Sequence, residues 1–189
     1  TNTALRQAWA ERMRPTLVLN KIDRLIGELK LSPTEAWERI KRVLESVNAL
    51  VSALINSEGL ATPDRVERAD VLDDGDGDAA AADEQQEALE DKWHFRPEVG
   101  NVVFASASGG WGFGIARFAG LWAAKIGANR RLLRRTLWGE WAYHARDKKV
   151  VRYVAGGKLK PMFVSMILEP IWQLHEIAFV GGDIERAVK

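Results

Sequence analysis

Apolar positions recur in two rhythms along this 189-residue chain. Pro15 to Leu19 and Val102 to Ala105 are short, unbroken apolar runs, the pattern of parallel strands buried on both faces. Between them Trp37, Ile40, Val43, Leu44, Val47, Leu50, Val51 and Leu54 return at steps of three and four, which predicts one long amphipathic helix ending near Asn56-Ser-Glu-Gly59. Ser32-Pro33-Thr34-Glu35 marks its start. The serine hydroxyl can accept from the Glu35 N–H, the Glu35 carboxylate can return to the cap, and proline suits the first helical position. Phe113 to Ile126 predicts a second helix, following the second strand. Strand, long helix, strand, helix is the α/β pattern of a mostly parallel sheet covered on both faces.

After Gly127 the pattern shortens. Arg130 to Leu137 predicts a short basic helix, and Gly139 to Tyr153 a hairpin turning at Asp147-Lys148-Lys149. Met162 to Val180 predicts a further helix with Phe163, Ile167, Ile171, Leu174 and Ala178 on one side. Residues 128–189 are therefore expected as a small α+β extension of a principal domain over 1–127. The chain begins without Met almost directly before a strand and reads as a piece of something longer.

Composition changes the picture in one segment. Residues 61–92 hold twelve acids against Arg65, Arg68 and Lys92, a net −9, which leaves +10 on the rest of a chain whose formal charge is +1. Its stretch "DDGDGDAAAADEQQ" has almost no large apolar residue to offset the entropy of ordering, so a mobile insertion is expected. Asp74-x-Asp76-x-Asp78 has the opening spacing of a calcium loop, but Ala79 and Gln85 stand where Gly and Glu are required, and no metal site is expected. A basic body suits a polyanionic partner through counterion release. On charge alone, a solvated surface with a solubilising loop explains the numbers at least as well. Without cysteine, disulfides, thiolate metal sites and thiol nucleophiles are excluded. No apolar run approaches the ~18 residues of a membrane span.

Ligands of open α/β sheets sit beyond the carboxyl ends of the strands. Two polar motifs fall there: Asn20-Lys21-Ile22-Asp23 after the first strand and Ser106-Ala107-Ser108 after the second. Guanine presents N1–H and an exocyclic amino group side by side. One ionised carboxylate, Asp23, can accept both, and adenine would leave it unsatisfied. Asn20 can use its amide on the base and on the neighbouring loop, the Lys21 stem can lie across the ring, and a backbone N–H near Ala107 can donate to guanine O6. N-K-x-D alone fixes only three positions. Its location at a strand end, with Ser-Ala-Ser after a later strand, carries the reading.

Other motifs are weaker. "GGWGFG", Gly109 to Gly114, lies between a strand and a helix, yet no frame gives G-x-G-x-x-G, and a tight turn with close backbone packing is expected. His94, His144 and His175 have neither metal spacing nor a partnered nucleophile. Arg130, Arg131, Arg134 and Arg135, with Lys148, Lys149, Arg152, Lys158 and Lys160, read equally as an RNA-facing patch or a solvated face.

The stretches "RPTLVLNKIDRLIGELKLSPTEAW", "GNVVFASASGGWGFGI" and "LWGEW" resemble the G domain of translational GTPases of the elongation factor 2 type. Within that group they are most similar to the elongation factor-like branch of cytoplasmic large-subunit maturation. The resemblance implies a P-loop GTPase-like fold, of which this chain holds the C-terminal half of the G domain. It implies that Asn20, Lys21 and Asp23 read guanine and that Ser106, Ala107 and Ser108 form the second base-contacting loop. GTP or GDP is the implied ligand, with Mg²⁺ held by residues outside this chain. No G-x-x-x-x-G-K-[ST] phosphate loop and no D-x-P-G-H segment occurs here, so no catalytic residue is assigned and hydrolysis by the chain alone is not expected. The implied whole is a cytoplasmic GTPase, without a membrane partner, that releases an anti-association factor from the large (60S) ribosomal subunit, contacting its rRNA and proteins. The alternatives are an elongation factor 2 translocase, a spliceosomal elongation-factor-like GTPase and a non-enzymatic interaction module.

Overall fold

Residues 2–59 and 87–180 are described by a computed structural model, which is mixed α/β. Helix α1 (Asn2–Ala10), strand β1 (Leu17–Leu19), helix α2 (Ile22–Gly27) and helix α3 (Pro33–Gly59) come first. Helix α4 covers 87–93. Strands β2 (Val102–Ser106) and β3 (Trp111–Phe113), helices α5 (Ile115–Ile126) and α6 (Arg130–Thr136), and the hairpin β4 (Trp141–His144) and β5 (Lys149–Arg152) follow. A final helical stretch has α7 (Glu169–His175) between two wide π-type turns, Val164–Leu168 and Glu176–Val180. The chain forms two compact units, one from 1–16 with 42–95 and the other from 17–41 with 96–189.

The second unit is built on a three-stranded sheet in the order β1-β2-β3. β1 and β2 are parallel, with Leu17 opposite Val102 and Leu19 opposite Phe104. β3 returns antiparallel, with Phe113 opposite Phe104 and Trp111 opposite Ser106. Alternation along β2 buries Val102, Phe104 and Ser106. Phe104 is fully buried at the centre of an aromatic cluster, its ring 5.4 Å from Phe113, 5.9 Å from Trp138 and 5.0 Å from Phe163. Stacked and tilted ring pairs of this kind add to the burial of apolar area itself. The sheet positions the site, because it sets the two strand ends side by side.

Local sequence explains the element boundaries. The capping box forms as expected: Ser32 N–H and Oγ donate to Glu35 Oε2 at 2.8 and 2.6 Å, and Glu35 N–H donates back to Ser32 Oγ at 3.3 Å. The Ser32 hydroxyl and backbone N–H hold the Glu35 carboxyl below its ordinary range. Helix α5 ends at Gly127, whose φ of 66° is left-handed, and Asn129 caps α6 by accepting from the Arg131 and Leu132 N–H groups. In the last helical stretch Pro170 has no N–H to offer the Met166 carbonyl four residues back. The Trp122 indole donates to that carbonyl instead, at 2.6 Å.

In the first unit Leu5, Leu44, Val51, Leu54, Ile55, Trp93 and Phe95 are buried, and the Trp9 and Trp93 rings lie 4.8 Å apart. Asn48 of α3 pairs with the backbone of Phe95 in both directions, Nδ2 donating to the carbonyl at 3.0 Å and Oδ1 accepting from the N–H at 2.8 Å. Ser52 and His94 Nε2 lie at hydrogen-bonding distance, 2.9 Å. Truncating Asn48 would leave two half-buried backbone groups without partners. Asn48→Ala is expected to destabilise by about 2 kcal/mol in a urea titration, whereas Ser46→Ala, on an exposed turn of the same helix, should change little.

Several expectations are corrected. Val43 and Leu50, on the predicted apolar stripe, are 44% and 41% exposed, and Leu174 is 50% exposed. "GGWGFG" is more than a tight turn, since Trp111–Phe113 pairs as β3. Residues 87–92 of the acidic segment are helical. Residues 60–86, including the Asp74–Gln85 stretch weighed for calcium, lie outside the described residues.

Candidate functional site

Parallel pairing in the register Leu19 to Phe104 makes β1 and β2 end at the same edge of the sheet. The chain after β1 and the turn after β2 therefore emerge together, although 87 residues separate Asn20 from Ala107. Asn20 ties them. Its Oδ1 accepts from its neighbour's N–H at Lys21, 2.8 Å, and from the Ala107 N–H, 3.0 Å. Lys21 follows with φ 68°, a left-handed conformation that costs a non-glycine residue about 1 kcal/mol. That sharp reversal starts α2 at once and places Asp23 in its first turn.

The carboxylate of Asp23 meets the second loop. Ser108 Oγ donates to Asp23 Oδ2 at 2.9 Å. Ser106, buried at the end of β2, has its hydroxyl 3.3 Å from that of Ser108 and accepts from the Gly109 N–H at 2.9 Å. The other carboxylate oxygen, Asp23 Oδ1, is buried and has no hydrogen-bond partner among the described residues. The Ser106 hydroxyl, which makes no well-aligned bond to the carboxylate but lies beside it, is the main cause holding the Asp23 carboxyl below its ordinary value of 3.8. Ser108, the backbone and Arg24 act in the same direction, against the opposing effect of burial.

The sign of that depression fixes a pH dependence. A carboxyl whose folded pKa is lowered stabilises the fold above its unfolded pKa, and loses that contribution only as pH falls through the folded value. For Asp23 the window lies below pH 3.8. Ligand binding that depends on the ionised carboxylate is thus expected to stay flat between about pH 7 and pH 5. An Asp23-dependent loss of affinity centred in that interval would contradict it.

All six residues singled out in the sequence, Asn20, Lys21, Asp23, Ser106, Ala107 and Ser108, fall in this one cluster. The Asn20 amide reaches the neighbouring loop as expected, and the Ala107 N–H itself is thereby committed to it. Gly109 was missed. A Cβ there would lie 2.6 Å from Trp111 Nε1 and 2.9 Å from Ser106 Oγ, so any other residue would have to push the indole or the hydroxyl aside. Its signal was the Gly109-Gly110 pair itself, a turn marker before a short apolar run. Away from this cluster, His144 Nδ1 lies 3.0 Å from the Asp147 carboxylate. Among the described residues no group of three or more His, Cys, Asp or Glu side chains is arranged to hold a metal ion.

No protein-family model matches the chain. Among curated proteins it is 43% identical over 200 residues to Elongation factor-like GTPase 1 of Mus musculus, with 100% of this chain aligned. It is 37% identical over 191 residues to Ribosome assembly protein 1 of Schizosaccharomyces pombe and 37% identical over 200 residues to Ribosome assembly protein 1 of Saccharomyces cerevisiae, again with 100% of this chain aligned. The chain spans 17% of the length of each of these relatives. From end to end, the chain is therefore a relative of one segment of the elongation factor-like GTPases and ribosome assembly proteins.

Proposed function

We propose that this chain is the guanine-reading half of a translational-type GTPase domain, in a protein of ribosome assembly. The observation that carries the reading is the junction of Asn20 and Asp23 with Ala107 and Ser108 across the parallel β1–β2 pair. The names of the relatives support the same reading. Asp23, ionised at neutral pH, accepts from the N1–H and amino group of guanine. Its Oδ1, without a partner among the described residues, becomes one of the two acceptors once the carboxylate turns it out of its buried position. Asn20 keeps the two loops in register, and the Lys21 stem covers one ring face. Because the Ala107 N–H is committed to Asn20, the Ser108 N–H, next along the turn, is the donor assigned to guanine O6.

The fit covers the base end of the nucleotide. The motifs that hold phosphates and Mg²⁺ are not in this sequence, so GTP hydrolysis belongs to the full-length protein. There it drives release of an anti-association factor from the cytoplasmic 60S subunit. The 1–127 region is the G-domain half, and 128–189 its extension toward the next domain.

Competition in the full-length protein tests the base assignment. GDP should displace a fluorescent guanine nucleotide about 10⁴-fold better than ADP, and IDP, which lacks the amino group, should fall between them. ADP competing as well as GDP would end the proposal.

A further inference from the structure

The structure sorts the basic residues of the second unit into those already committed and those that are not. Arg134 holds the Glu98 and Val99 carbonyls, at 3.0 and 2.7 Å. Lys160 is paired with Glu169. By contrast, Arg146, Lys148, Lys149 and Lys158 are exposed and make no ion pair among the described residues, as is also true of Arg130, Arg131 and Arg135 on α6, which have no aromatic-backed guanidinium beside them. The first four belong to the β4–β5 hairpin or the turn that follows it.

Carboxylates to neutralise them are scarce. From Trp141 to Lys160 the chain has six cations and a single acid, Asp147, which faces His144 Nδ1 at 3.0 Å. Glu140, just before the hairpin, is held by Lys41 at 2.8 Å. The hairpin tip also carries strain: Lys148 has φ 52°, a left-handed position that Gly or Asn would occupy at lower cost.

A flat element accompanies the charge. Trp141 and Arg152 are direct cross-strand partners, and the guanidinium lies 4.1 Å over the indole ring. Arg152 itself is exposed, so the outer face of a plane already backed by an aromatic is open. Stacking of unpaired bases on guanidinium and aromatic planes, beside cations that follow the backbone, is the chemistry of single-stranded RNA recognition. An acidic protein surface would use the cations and leave the plane without a role.

We propose that the β4–β5 hairpin is an RNA-docking surface, in which Arg146, Lys148, Lys149 and Lys158 hold phosphates and the Arg152–Trp141 pair stacks an unpaired base. The proposal does not depend on the guanine reading.

The test uses the full-length protein and fluorescein-labelled RNA, single-stranded and duplex, titrated between 50 and 200 mM salt. Lys148→Glu with Lys149→Glu should weaken single-strand binding more than about tenfold and lower the salt slope by about 0.7 for each phosphate no longer neutralised. Arg152→Lys keeps the charge. It should leave the salt slope unchanged, weaken single-strand binding several-fold and spare duplex binding. Arg130→Glu with Arg131→Glu, on α6, is the control for general surface charge. Equal losses from the control and hairpin reversals, or hairpin variants that bind RNA as the wild type does, overturn the proposal. So does displacement of the RNA by polyglutamate as effective as by unlabelled RNA. GDP affinity measured on the same variants should not move, which separates this surface from the nucleotide site.

Discussion

Asp23→Asn in the full-length protein should lower guanine-nucleotide affinity by about two to three orders of magnitude, since two hydrogen bonds to an ionised acceptor contribute about 3–4 kcal/mol together. The amide keeps one acceptor and turns a donor toward a donor edge. The same variant should gain affinity for a xanthine nucleotide, which carries an acceptor at the position of the guanine amino group. That gain distinguishes lost recognition from a damaged fold, because misfolding would weaken both ligands. Fluorescent-nucleotide titration reads each arm. Unchanged GTP affinity would remove Asp23 from the pocket, and with it the role assigned to the Ser106 and Ser108 hydroxyls beside it.

The largest effect on stability is expected at Phe104. Its ring is fully buried among Phe113, Trp138 and Phe163, and truncation of such an aromatic leaves a cavity that costs about 3–5 kcal/mol. Phe104→Ala should shift the urea midpoint by the corresponding amount with the slope unchanged. Val18→Ala is the control within the same sheet, since Val18 is 55% exposed and its loss should fall within about 0.5 kcal/mol. Because Phe104 lies two residues before Ser106 on β2, the variant should also loosen the 106–108 turn and weaken nucleotide binding. If Phe104→Ala were no worse than Val18→Ala, the aromatic cluster would not be the core of this unit.

What was legible in the sequence was local or periodic. Ser32 and Glu35 announce their helix start because the capping groups lie three residues apart, and the hairpin is legible from its polar turn, although the turn covers 145–148 and Lys149, expected in it, begins β5. N-K-x-D and S-A-S were legible as a pair because both follow apolar runs long enough to be strands. Long-range partners left little trace. Trp111-Gly-Phe113, flanked by glycines, reads as a turn until β2 supplies its ladder. Asn48 is one polar residue on a helix, and nothing near it in sequence points to Phe95. Helix α1, a nine-residue element before the first strand, has Leu5 as its buried residue, too brief an apolar signal to read beside the strand that follows. Val43 and Leu50 obey the helical period, but the period says which residues share a face and not how far a neighbour covers it.

The register of β1 against β2 also has an engineering consequence. The spacing of the two polar turns is set by hydrogen bonds between Leu17–Leu19 and Val102–Phe104, and by the Asn20–Ala107 clasp, and not by the length of chain that joins the two strands. Loop-closure entropy grows only logarithmically, by about 0.6 kcal/mol for each doubling of length. An affinity handle spliced between the two strands is thus expected to leave the Asn20–Ala107 clasp at its present spacing.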